Sequence, residues 1–120
     1  MATEHDARIV ILGSGPAGWS AAIYAARAGL APLVVRGPQA GGQLTITTDV
    51  ENYPGFEDVV QGPWLMEQME AQARHVGTAV IDDTIVGADL TGPPFVCTGD
   101  SGDRYRAEAL VIATGASARW

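Results

Sequence analysis

Residues 13–18, Gly-Ser-Gly-Pro-Ala-Gly, form a complete G-x-G-x-x-G, a spacing whose chemistry is to hold a dinucleotide pyrophosphate. Gly13 permits a tight turn, Gly15 has no Cβ and lets the backbone approach phosphate, and Gly18 lets a following helix pack close to the preceding strand. Pro16 suits the first helical turn, where a missing N–H costs nothing. The unpaired N–H groups at a helix start and the helix macrodipole then face the anion. Such a run is also compatible with a simple glycine-rich turn, so its flanks matter. Residues 9–12 read as a buried strand and residues 19–28 as a helix, with Ala22 one turn past Gly18. That strand, turn, helix frame favours dinucleotide binding over the bland reading.

Other chemistry is sparse. Cys97 is the single cysteine of 120 residues and sits in a strand-like run, so it reads as a small hydrophobe rather than half of a redox pair. His5 and His75 are too few to build a metal-ligand cluster with it. With 14 acidic residues against 7 arginines and a formal charge of −7, the chain has no basic stripe for nucleic acid. The polar start MATEHDAR has no apolar leader segment, and no run is long enough to span a membrane, which makes the cytoplasm the default location. The length suits one domain.

The elements that must position the glycine turn follow in order. Residues 33–35 are a short apolar strand that closes a βαβ unit, which predicts two parallel, adjacent strands. Arg36 ends that strand where an acid often holds ribose hydroxyls. It either accommodates a 2′-phosphate, favouring NADP, or is unused because the ligand is FAD held by other groups. Residues 37–56 form a long loop anchored by Leu44, Ile46, Val50, Tyr53 and Phe56, with close-approach glycines at Gly41 and Gly42 and amides at Gln43 and Asn52. Ligand contact and a merely ordered surface loop both fit it. Residues 61–76 form an amphipathic helix with Trp64, Leu65, Met66, Met69, Ala73 and Val76 on its apolar stripe. A third strand covers 78–81. Strand-like runs at 84–90, 95–98 and 104–107 predict an antiparallel β-meander. The apolar run 109–113 then predicts a strand buried on both faces that returns to the parallel sheet, followed by a second small-residue turn at Thr114-Gly115.

Taken together, GSGPAG, GGQL at 41–44, ENYPGF at 51–56 and ATGASARW at 113–120 resemble bacterial low-molecular-weight thioredoxin reductase along essentially the whole chain. The resemblance implies an α/β fold of three layers: an FAD/NAD(P)-binding Rossmann-like parallel sheet, crossover helices and an inserted three-stranded antiparallel β-meander. It implies that Gly13, Ser14, Gly15, Pro16 and Ala17 hold the FAD pyrophosphate, and that the segment from Arg36 and Gly37 through Gly42 passes the ribose and phosphate side. Gln43, Leu44 and Asn52 would approach the ribityl chain and flavin ring, Val80 the adenine, and Ala113, Thr114 and Gly115 would close over the cofactor. Residues 1–120 would be the N-terminal part of a discontinuous FAD-binding domain. The NADPH-binding domain, its C-x-x-C and the C-terminal FAD-domain segment are absent from this sequence. Thioredoxin would be the partner of the complete enzyme.

Three functions therefore remain open at the level of sequence. The leading one is the FAD-binding portion of an NADPH-dependent thioredoxin-disulfide reductase, which should not turn over alone because no residue here is a candidate nucleophile or acid/base. The second is a segment of a related flavoprotein such as a ferredoxin-NADP reductase. The third is a non-catalytic NAD(P)-sensing or interaction module. An apolar strand at 109–113 with one unpartnered edge invites a complementing segment or a second copy. A marginal chain that associates with itself or with a partner and binds FAD weakly if at all is the corresponding expectation.

Overall fold

A computed structural model of the protein describes residues 2–38 and 49–115. Its chain order is β1 (Glu4–Leu12), α1 (Pro16–Arg27), β2 (Leu33–Arg36), β3 (Asp49–Val50), β4 (Val60–Gln61), α2 (Gly62–His75), β5 (Ala79–Asp82), β6 (Ile85–Asp89), β7 (Phe95–Gly99) and β8 (Arg104–Ile112). Six strands form one sheet in the order β5-β2-β1-β8-β7-β6, while β3 and β4 pair separately. The first four are mutually parallel and the last two antiparallel. Reading only the parallel strands, the chain runs outward through β1, β2 and β5 and then resumes at β8 on the other side of β1. The order therefore reverses between β1 and β8, and such a reversal leaves a crevice at the carboxyl ends of the two strands.

Helices cover one face. Trp19 and Ala22 of α1 and Leu65, Met66, Met69 and Ala73 of α2 pack with Ile11 and Val34 of the sheet. Burying each large aliphatic or thioether side chain there contributes about 1.5–3 kcal/mol. Trp64 departs from the expected stripe: it is 43% exposed and meets Phe56 edge-on at 5.9 Å.

The other face is closed by the sheet itself. Only Asp83 and Thr84 connect β5 at one edge to β6 at the opposite edge. So short a link requires the sheet to curl until its two edges approach. The packing agrees, because Ile81 and Ile85 from the two edge strands and Cys97 of β7 join Val10, Leu12, Leu33 and Val35 in one apolar cluster. The antiparallel meander is thus the third layer.

Several boundaries differ from the sequence reading: α1 starts at Pro16 and ends at Arg27, Asp49–Val50 forms a strand within the expected loop, and two further differences reshape the sheet. The first strand starts at Glu4, not Ile9, and the runs 104–107 and 109–113 are one strand, β8, paired with β1 along its whole length. The ladder passes from Ala7 opposite Ala107 to Ile9 opposite Ala109 without a bridge at Arg8 and Glu108. Across that interruption the inward-facing residues change parity, from Ala7, Tyr105 and Ala107 to Val10, Leu12 and Leu110. A continuous strand therefore presents two patterns that read as separate pieces. The last run is also not buried on both faces: Leu110 and Val111 are half-buried and Ile112 is 64% exposed.

Candidate nucleotide-binding cleft

The end of β1, the start of α1 and the end of β8 meet at one point. Gly13 has φ +119°, and a Cβ there would overlap the Ala113 carbonyl. Its N–H donates to Val35 O at 3.1 Å, and the Ala113 N–H donates to Leu12 O at 2.8 Å. Three strand ends are thus tied together through backbone that tolerates only glycine. Gly18 is constrained by space alone: a Cβ there would overlap the Gly13 carbonyl of the turn and lie 3.8 Å from Ile11 Cγ2 of β1.

The helix that starts there is open to an anion. Gly15 is its N-cap, no side chain among the described residues caps it, Pro16 occupies its first position and its first turn contains no acidic residue. An acceptor from outside would therefore meet N–H groups and a positive dipole end without competition from a carboxylate.

A cleft of about 550 Å³ opens at this point. The turn at 12–17 and the turn at 113–115 form two of its walls, Val35, Gly37 and Pro38 a third, and Asp83, Thr84 and Ile85 the fourth. The expected Gly13, Ser14, Gly15, Pro16, Ala17, Gly37, Ala113, Thr114 and Gly115 are thus brought together. Gly41, Gly42, Gln43 and Leu44 lie outside the described residues. Three expected contacts do not line the cleft. Asn52 is exposed beyond β3, Val80 turns toward the helix-side core, and Arg36 points onto carboxylates. Its Nη1 donates to Glu70 Oε1 at 2.6 Å and its Nε to Asp82 Oδ1 at 2.7 Å. Asp82 holds the guanidinium pKa above its ordinary value, and Arg36 in turn depresses that of Asp82.

The fourth wall was missed by sequence reasoning. Asp83 organises it: its N–H donates to Arg36 O at 3.1 Å, and its carboxylate accepts from the Thr84 N–H at 2.8 Å and the Ser101 and Tyr105 hydroxyls at 2.6 Å each. Those hydroxyls hold the Asp83 carboxyl below the usual carboxylate range. Burial, then the bond to Asp83, pushes the Tyr105 phenol well above its usual value. Tyr105 also stacks on His5 at 4.8 Å, and His5 lies 3.0 Å from Asp103 Oδ2. The only signal in the sequence was the two-residue gap between strand-like runs, which reads equally well as a hairpin.

Residues 7–120 match the family model for pyridine nucleotide-disulphide oxidoreductases. The chain belongs to that family. It is 58% identical over 113 residues to thioredoxin reductase of Rickettsia felis, covering 94% of this chain and 36% of the relative. It is 52% identical over 120 residues to glucosaminate ammonia-lyase of Pseudomonas fluorescens, covering all of this chain and 37% of that protein. A solved thioredoxin reductase from Giardia duodenalis superposes with a TM-score of 0.90 at 40% identity, covering 97% of this chain and 38% of that one. The chain thus spans little more than a third of the length of these relatives, and its fold is the FAD-binding Rossmann-like fold of thioredoxin reductases. Family membership implies a flavin cofactor. The glycine cradle that a Cβ would fill and the uncapped helix start fit a flavin nucleotide's pyrophosphate.

Proposed function

We propose that these residues are the first part of a discontinuous FAD-binding domain of a thioredoxin-disulfide reductase that uses NADPH and passes electrons to thioredoxin. The observation that carries the cofactor reading is the seating of Gly13 beneath the Ala113 carbonyl, beside an uncapped helix start, at the strand-order reversal. Ser14 through Ala17 take the pyrophosphate and 113–115 close over it. By the family resemblance Gln43 and Leu44 approach the flavin, which when bound supplies the electron-carrying ring; Asn52, exposed beyond β3, lacks support from the cleft's lining.

This chain's contribution is binding and orientation. Cys97 is buried, and burial raises its thiol pKa, so it is a poor nucleophile. Relatives with two different named activities share this segment, which supports a cofactor-holding rather than a reaction-specifying role. Arg36 was the best support for an NADP-sensing module, and its double engagement by Glu70 and Asp82 weakens that reading. We further propose that the edge of β8 beyond Ala107, unpaired among the described residues, takes a complementing strand or a second copy.

The test is a visible spectrum after incubation with FAD and removal of excess. The expected result is sub-stoichiometric flavin absorption, as weak binding by a marginal chain requires, lost in Gly13→Ala, and no turnover of a disulfide substrate by the chain alone. A colourless protein whose melting temperature rises with NADP would instead establish the sensing module.

A further inference from the structure

We infer that Ser101 and Tyr105 are positioning residues that hold the Asp83 carboxylate away from the cleft, so that this wall admits the phosphate charge of a nucleotide. The inference rests on the dinucleotide reading of the cleft given above. Asp83 has two acidic neighbours, Asp82 in sequence and Asp103 across the meander. Asp82 is offset by Arg36 Nε at 2.7 Å, and Asp103 is held by the His5 ring at 3.0 Å and by the Thr3 N–H at 2.8 Å. Asp83 is the one of the three that lines the cleft, and it has no cationic partner among the described residues. Neutral donors hold it instead. Its Oδ2 accepts the Ser101 and Tyr105 hydroxyls at 2.6 Å each, and its Oδ1 accepts the N–H groups of Thr84 at 2.8 Å and Ser101 at 3.3 Å.

These hydroxyls draw the carboxylate out of the cleft. Asp83 and Thr84 line the cleft whereas Ser101 and Tyr105 do not, so the Asp83 side chain runs from the wall into the meander. There it lies against Gly99, where a Cβ would overlap both carboxylate oxygens. Tyr105 is fixed in turn, since its side chain is buried and stacks on the His5 ring with the planes 8° apart. The carboxyl is held below the usual carboxylate range and is therefore charged at neutral pH. Across the same cleft of about 550 Å³, the uncapped start of α1 attracts an anion. A carboxylate turned into that space would stand within about a Debye length, roughly 10 Å, of the phosphates and oppose them. Without the two hydroxyls, Oδ2 has no donor among the described residues and turns to water in the cleft, while the Thr84 N–H that keeps Oδ1 belongs to the cleft wall itself.

The experiment titrates the native chain and its variants with ADP and with adenosine, which shares the nucleoside but carries no phosphate, and reads dissociation constants from amide shifts along the cleft walls. In the double variant Ser101→Ala, Tyr105→Phe, ADP should bind at least about fivefold more weakly while adenosine changes by less than about twofold. Adding Asp83→Asn to that pair should return ADP to within about twofold of the native chain, because the charge that the hydroxyls restrained is gone. Either single substitution should show the same selective loss at about twofold, which carries the comparison if the pair unfolds. A general loss of packing would weaken both ligands alike, and a third substitution would not reverse it. Equal weakening of both ligands, an unaltered ADP affinity, or no recovery with Asp83→Asn overturns the inference while leaving the nucleotide reading intact. A native chain that binds neither ligand overturns both.

Discussion

Gly13 and Asp83 hold opposite walls of the cleft by different means. Gly13 works through what it lacks, since any side chain would strike the Ala113 carbonyl. Asp83 works through what it accepts, gathering the hydroxyls of Ser101 and Tyr105 beneath the β5–β6 link. Because the Asp83 pKa is depressed in the folded chain, the stability it contributes is present above its unfolded value, about 3.9, and is lost as pH falls through the lowered folded value. The Tyr105 phenol has the opposite shift, so its contribution is present below its unfolded value, about 10, and is lost as pH rises through the raised folded one. Tyr105→Phe should therefore cost about 1–2 kcal/mol at neutral pH, with the difference from the native chain shrinking below about pH 4. Urea denaturation at several pH values checks this. A constant difference down to pH 2 would show that the phenol acts through packing alone.

At the scale of elements, the parts with one dominant environment were legible. Residues 9–12 and 33–35 are apolar on both faces and read as buried strands, and the glycine turn between strand and helix announced its own geometry. The amphipathic α2 was read within a residue at each end, because its buried stripe recurs at helical spacing. The lower half of β1 was not legible. Glu4, Asp6 and Arg8 alternate with His5 and Ala7 in a strand whose outer face is charged, and such alternation at a chain start reads as a polar tail. The unity of β8 was hidden for a related reason, since the change of parity at Glu108 makes one strand look like two. Arg36 shows the limit most plainly. Its position was predicted, but the Glu70 and Asp82 that redefine it come from a helix and a strand that only the fold brings together.

At the scale of the whole molecule, the topology that creates the cleft also exposes an edge. β7 pairs with β8 only from Thr98 opposite Arg104 to Phe95 opposite Ala107. Among the described residues, the side of Ala109–Ile112 away from β1 is unpaired, with Ile112 64% exposed. An apolar unpaired edge is a template for another strand. The apparent mass in size-exclusion chromatography should therefore rise with concentration and fall back toward the monomer in Ile112→Lys. A single monomeric species at every concentration would contradict an accepting edge.

The cleft itself joins all three scales, and amide chemical shifts on addition of FAD test it most directly. The account predicts that the largest changes fall on Ala17 and Gly18 at the start of α1 and on Thr114 and Gly115 across from them. Changes concentrated elsewhere, such as the surface groove beside Asp6, Pro94 and Arg106, with the α1 start unmoved, would contradict it.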